Sequence, residues 1–131
     1  MGRNEKTRAL LAAFGCALAY LLAGKILMAV LPQVPEEAAR MWAFVHRCAA
    51  APIVEELVFR GIIQQLARPL GERQAVALQA VLFAVQHRGP AGMAYALVCG
   101  LVLGTIRSRT GSVWPGMLLH TLNNLLVFAA G

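Results

Sequence analysis

At 131 residues the chain is one domain by length. It is 59% hydrophobic and only 14% charged, where soluble domains are about half apolar and about a quarter charged, so too few charges are present to wet an ordinary soluble surface. The net charge of +6 sits in short clusters between long apolar runs, with no basic stripe and interleaved aromatics; this excludes nucleic acid as a partner and puts the lipid bilayer in its place.

The first apolar stretch runs from about Ala9 to Leu31, long enough to cross a bilayer. Lys25, near its far end, can snorkel outward. The run is too long for the h-region of a signal peptide and no small-x-small site precedes Pro32, so a retained span is expected. Lys6 stands where myristoylation wants Ser or Thr. Pro32-Gln33-Val34-Pro35 breaks the helix, and Glu36, Glu37 and Arg40 are expected in a short polar loop. The second span covers about Met41 to Leu66, with Pro52 as a candidate kink. Arg68-Pro69-Leu70-Gly71-Glu72-Arg73 reads as a loop. The third span, about Gln74 to His87, is short and ends at Arg88-Gly89-Pro90. The fourth covers about Ala91 to Ile106, followed by a turn over Arg107-Ser108-Arg109-Thr110-Gly111. The fifth runs from about Val113 to Ala130.

The expected fold is therefore all-α: a bundle of five transmembrane helices in a single membrane domain over residues 1–131. Residues 9–31 form an accessory first span and residues 41–130 a core of four. Spans three and four fall short of the roughly 20 residues a free crossing needs, so their ends must be buried in protein or line a wet cavity. Gly100 and Gly104 form a GxxxG with Ala96 one turn earlier, a small-residue ridge for close packing within the chain. Arg3, Lys6, Arg8, Arg68, Arg73, Arg107 and Arg109 share one side of this topology, against Arg40, Arg47 and Arg88. The positive-inside rule then gives N-in and C-out. Trp42 and Trp114, near predicted span ends, fit aromatic belts. Cys16, Cys48 and Cys99 are widely spaced in apolar sequence, with no CxxC, and read as small buried residues.

Ionisable residues inside spans are costly and default to function or internal pairing. Glu55 and Glu56 lie mid-span; Glu56 and Arg60 are four apart and can pair on one helix face. That leaves Glu55, about 100° round the helix, without its own cation. His87 ends span three, and His120 and Asn124 share a face of span five. At about 1.5 Å of rise per residue, Glu55, His87 and Asn124 lie roughly 17–20 Å from the predicted cytoplasmic ends, and His120 roughly 10 Å. All four are therefore expected to line one cavity near mid-membrane, approached from the cytoplasm. A carboxylate with a neutral imidazole can deprotonate a water, and a His and an Asn can donate to a developing oxyanion. A zinc version would use Glu55, His87 and His120 with one open position, but no HExxH supports it. A buried ion network that only orients helices is the plain alternative. His46 is expected at the membrane interface.

Glu55-Glu56-Leu57-Val58-Phe59-Arg60, Phe83-Ala84-Val85-Gln86-His87 and His120-Thr121-Leu122-Asn123-Asn124 resemble, in order, the EExxxR, FxxxH and HxxxN motifs of the CAAX-protease and bacteriocin-processing (CPBP) family of intramembrane proteases. The resemblance covers about Phe44 to Phe128. It implies a helical membrane bundle, hydrolysis of a peptide bond in a membrane-associated protein or peptide, and a location in the bacterial inner membrane. By motif position, Glu55 and His87 would activate the water, and His120 and Asn124 would stabilise the oxyanion. Glu56 and Arg60, with the motif residues Phe59 and Phe83, would support the site. The family carries a metalloprotease label and has also been described as glutamate-dependent. No cofactor is expected, because a carboxylate, two imidazoles and an amide are a poor zinc set; zinc is the other option. Family members usually have more spans, so this chain resembles a near-minimal version. Two other classes of function stay in view: a non-catalytic immunity or scaffold protein, and a proton-relaying transporter subunit, which would predict inverted repeats that are absent.

Overall fold

The computed structural model describes residues 2–32 and 34–131. Among them every regular element is helical. Gln33, part of the expected Pro32–Pro35 break, lies outside the described residues.

Helix α1 (Arg3–Val30) buries Ala9, Ala13 and Ala17, one small residue per turn. Residues 36–67 form a second, continuous rod of alternating pitch: α2 (Glu36–Val45), a π-helical segment (His46–Ala50), α3 (Ala51–Glu55), a second π-helical segment (Glu56–Ile63) and α4 (Gln64–Ala67). A 3-10 turn over Arg68–Leu70 and Gly71, at φ +114°, lead into α5 (Glu72–Ala84). Helix α6 (Gly89–Thr110) and α7 (Trp114–Ala129) complete the bundle.

The five rods appear where the sequence places five spans, with shifted ends. Glu36, Glu37 and Arg40 are helical rather than a loop, because Pro35 starts α2 and its two acids sit in the first turn, where the helix dipole favours them. Arg107 and Arg109 belong to the last turn of α6, not to the turn beyond it, and their charge suits that end. Gly111, at φ +69°, ends the helix in the left-handed conformation. Helix α5 stops at Ala84, so His87 lies in the turn after it rather than on the span. Neither π-helical segment is foreshadowed by periodicity.

Two helices, Arg3–Val30 and Gly89–Thr110, are long and apolar enough to cross a membrane, with mean hydropathies of 2.0 and 1.6 over their best windows. The bundle surface carries large exposed apolar residues along most rods, among them Leu11, Ile26, Val98, Leu118 and Leu126. Such a coat suits lipid rather than water.

The tightest packing joins α5 to α6. A Cβ on Gly100 would come within 2.9 Å of Ala80 Cα, so the expected small-residue ridge does pack inside the chain. Such a close approach bares carbonyls, and two buried glutamines use them. Gln79 Nε2 donates to Gly100 O at 2.7 Å, and Gln64 Nε2 to Gly104 O at 3.0 Å. Interhelical side-chain bonds of this kind hold membrane bundles where apolar burial supplies no drive.

Candidate active site

The second rod supplies the acids. Its π-helical segment from Glu56 holds Glu56, Phe59 and Arg60 fully buried. Wide turns of this type recur at functional sites. Arg60 Nη1 lies 3.2 Å from Glu56 Oε1, the expected pair, with both side chains 0% exposed. The guanidinium also sits over the Phe83 ring, 4.4 Å from its centroid, a cation–π contact made without competing water. Phe83 in turn packs edge-on against Phe59 at 5.1 Å and His87 at 4.7 Å. The two motif phenylalanines thus wall the ion pair.

Helix α7 supplies the facing groups. His120 Nδ1 is 2.9 Å from Glu56 Oε1, and its Nε2 is 3.6 Å from Glu55 Oε2. A carboxylate oxygen accepts, so Nδ1 donates to Glu56, while Nε2 faces Glu55 beyond hydrogen-bond distance and donates only in the imidazolium form. Glu55 is thereby given a partner that the sequence did not foresee. Gly116, one turn before His120, lets this happen: a Cβ there would stand 2.7 Å from Glu56 Oε2.

His87 Nδ1 is 3.0 Å from Phe83 O. A carbonyl can only accept, so Nδ1 carries a proton, and in the neutral imidazole Nε2 is then the nitrogen with the lone pair. The FxxxH spacing therefore fixes a tautomer: the carbonyl four residues back, near the end of α5, orients the imidazole as a base.

Asn124 Nδ2 donates to Arg47 O at 2.8 Å. The cause lies in Pro52. In the π-helical segment Ala51 N–H reaches His46 O, five residues back. Pro52 has no N–H to continue the series, so Arg47 O is left for a side chain from another helix. The second Asn124 N–H remains available.

Glu55, His87, His120 and Asn124 all open onto one cavity of about 1010 Å3. Tyr95, Cys99 and Asn123, which the sequence did not single out for this site, share the wall with these four. Tyr95 donates to Asn123 Oδ1, and Asn123 Nδ2 to Asn124 Oδ1 at 3.3 Å. An Asn adjacent to the motif Asn was the one available signal for this relay. The cavity runs from Glu55 to exposed Arg40, His46 and Arg47 and to Gly131. His46 thus stands at its mouth, stacked on Trp42 at 6.4 Å. This is the end of the bundle opposite Arg68 and Arg107. The cavity thus extends toward the end of the bundle away from the cluster of basic residues.

A protein-family model, type II CAAX prenyl endopeptidase Rce1-like, matches residues 37–126. The chain belongs to this family. It is a CAAX-type member of the membrane-embedded proteases, and the resemblance carried by the three motifs is thereby shown. The matched Rce1-like region includes Glu55, His87, His120 and Asn124 and the Glu56–Arg60 pair, and it begins after α1. No curated protein and no solved structure matches the chain.

A metal would have to fit this donor set. Among the described residues no three His, Cys, Asp or Glu side chains gather in metal-holding geometry. His120 is committed through Nδ1 to Glu56, and its Nε2 faces Glu55.

Proposed function

We propose that this Rce1-like chain hydrolyses a peptide bond in a membrane-associated protein or peptide, using water activated by Glu55 and His87. The observation that carries the reading is the shared cavity onto which Glu55, His87, His120 and Asn124 open. Water would give a proton to Glu55 as its oxygen attacks the scissile carbonyl carbon. His87, with Nε2 unprotonated, assists as acceptor. The carbonyl oxygen gains charge and takes hydrogen bonds from His120 Nε2–H and the free Asn124 N–H. Collapse breaks the C–N bond, and the proton passes from Glu55 to the leaving amine. Glu56 and Arg60 hold His120 in place. No metal takes part.

The arrangement proposed in the membrane is five crossings, N-in and C-out, in a bacterial inner membrane. The excess of basic residues at the Arg68 end supports it. A prenylated CAAX tail is the substrate the family description names, and a leader peptide fits the same chemistry.

The test is cleavage of a cognate membrane peptide by purified Glu55→Gln and His87→Ala. General base loss removes about 10²–10⁴-fold in rate. Both variants should insert and unfold like wild type while turnover drops by that much. Wild-type cleavage by either variant would sink the mechanism.

A further inference from the structure

A second, smaller cavity lies at the other end of the bundle. Its volume is about 170 Å3, far above the roughly 10–15 Å3 that one water needs on this measure. Its polar lining is Arg60, Gln64, Gln65, Arg68, Glu72, Arg107 and Ser108. Three arginines thus line it against one carboxylate. Glu72 is already engaged, 3.4 Å from Arg68 Nε and accepting from Ser108 Oγ. Gln64 Nε2 also reaches Ser108 Oγ, at 3.0 Å.

The inner wall is Arg60, which is 0% exposed. Its Nε, Nη1 and Nη2 have no aligned hydrogen-bond acceptor among the described residues, and neither does buried Arg107 Nε. The Glu56 contact at 3.2 Å gives Arg60 an ion-pair partner without a well-aligned hydrogen bond. Buried donors of this type normally have acceptors. The acceptor chemistry that satisfies several forked guanidinium groups at once is a tetrahedral oxyanion. Arg68 and Glu72 are about half exposed, so the pocket is open to the surrounding medium.

We infer that this pocket binds a phosphate group, held by Arg60, Arg107 and Arg68. The group is a lipid phosphodiester or free inorganic phosphate. This binding needs no substrate and is read without proteolysis.

The experiment measures the thermal unfolding midpoint of the full chain in two settings. One is a phosphate-free maltoside detergent titrated with inorganic phosphate at constant ionic strength. The other is the same detergent alone against detergent mixed with phosphatidylglycerol. A rise in the first setting assigns the free anion, and a rise only in the second assigns the headgroup. Arg107→Gln should weaken the half-saturating concentration about tenfold or more, the loss of one charged hydrogen bond. Exposed Arg68→Gln weakens it in the same direction and guards against a folding defect in the first variant. Arg109→Gln, at the same end but outside the pocket, should respond like wild type. Absence of a midpoint rise in both settings overturns the inference. So does an equal loss in Arg109→Gln, which would mark diffuse surface charge, or an unchanged response in Arg107→Gln and Arg68→Gln.

Discussion

Asn124 closes a backbone gap on a different helix: its amide donates to Arg47 O at 2.8 Å because Pro52 brings no N–H to that turn. A hydrogen bond that looks incidental is thus written into two distant positions, and it docks α7 beside the acids. Asn124→Ala should cost about 1 kcal/mol of stability. In a Pro52→Ala background an N–H returns to the turn, Arg47 O regains a helical partner, and the cost should shrink. Unfolding of the four proteins in detergent supplies the cycle; an equal cost in both backgrounds refutes the coupling.

Arg60 and Glu56 form a fully buried pair. Removing one partner strands a charge, which costs about 3–5 kcal/mol. Arg60→Met alone should therefore unfold readily, whereas Arg60→Met with Glu56→Gln should recover most of that loss. The recovered protein would still lack activity, since His120 loses its anchoring charge. Comparison of unfolding midpoints with turnover separates the two effects.

Glycines in different surroundings should respond oppositely to one methyl group. Gly100→Ala drives a Cβ into Ala80 at 2.9 Å, and overpacking of this kind costs about 1–3 kcal/mol. Gly15, mid-helix in α1, has nothing within 4 Å of its Cβ position. Gly15→Ala should therefore stabilise, by about 0.4–1 kcal/mol. Circular dichroism melts of the two variants check the sign. Destabilisation by Gly15→Ala would mean a partner covers that face of α1.

The proposed metal-free mechanism gives a further expectation. Incubation with a strong zinc chelator should leave turnover unchanged, and added zinc should not raise it. Abolition by chelator with recovery on zinc addition would restore the metal reading and reassign Glu55, His87 and His120 as ligands.

Much of this was legible in the sequence, and the reason is local. Gly71, Gly89-Pro90 and Gly111 punctuate the rods, and the acids, histidines and asparagine stand out because polar groups are rare in apolar runs. The pairing of Glu56 with Arg60 follows from spacing on one helix. What stayed hidden depends on register between helices. Gln64 and Gln79 look like ordinary polar residues until Gly100 and Gly104 bring α5 and α6 close enough to bare carbonyls. The partnership of His120 with both glutamates needs α7 to lie against the second rod at one height, which Gly116 permits. The wide turns of that rod leave no periodic mark, and they displace the simple rise-per-residue depths.

The long cavity ties the proposed catalysis to geography. Gly131 and Arg40 both line it, so under the proposed function the compartment that sees either residue is the compartment that delivers the scissile bond. A membrane-impermeant thiol label directed to Arg40→Cys in intact cells would therefore reveal, with one readout, whether the enzyme trims cargo before export or after it.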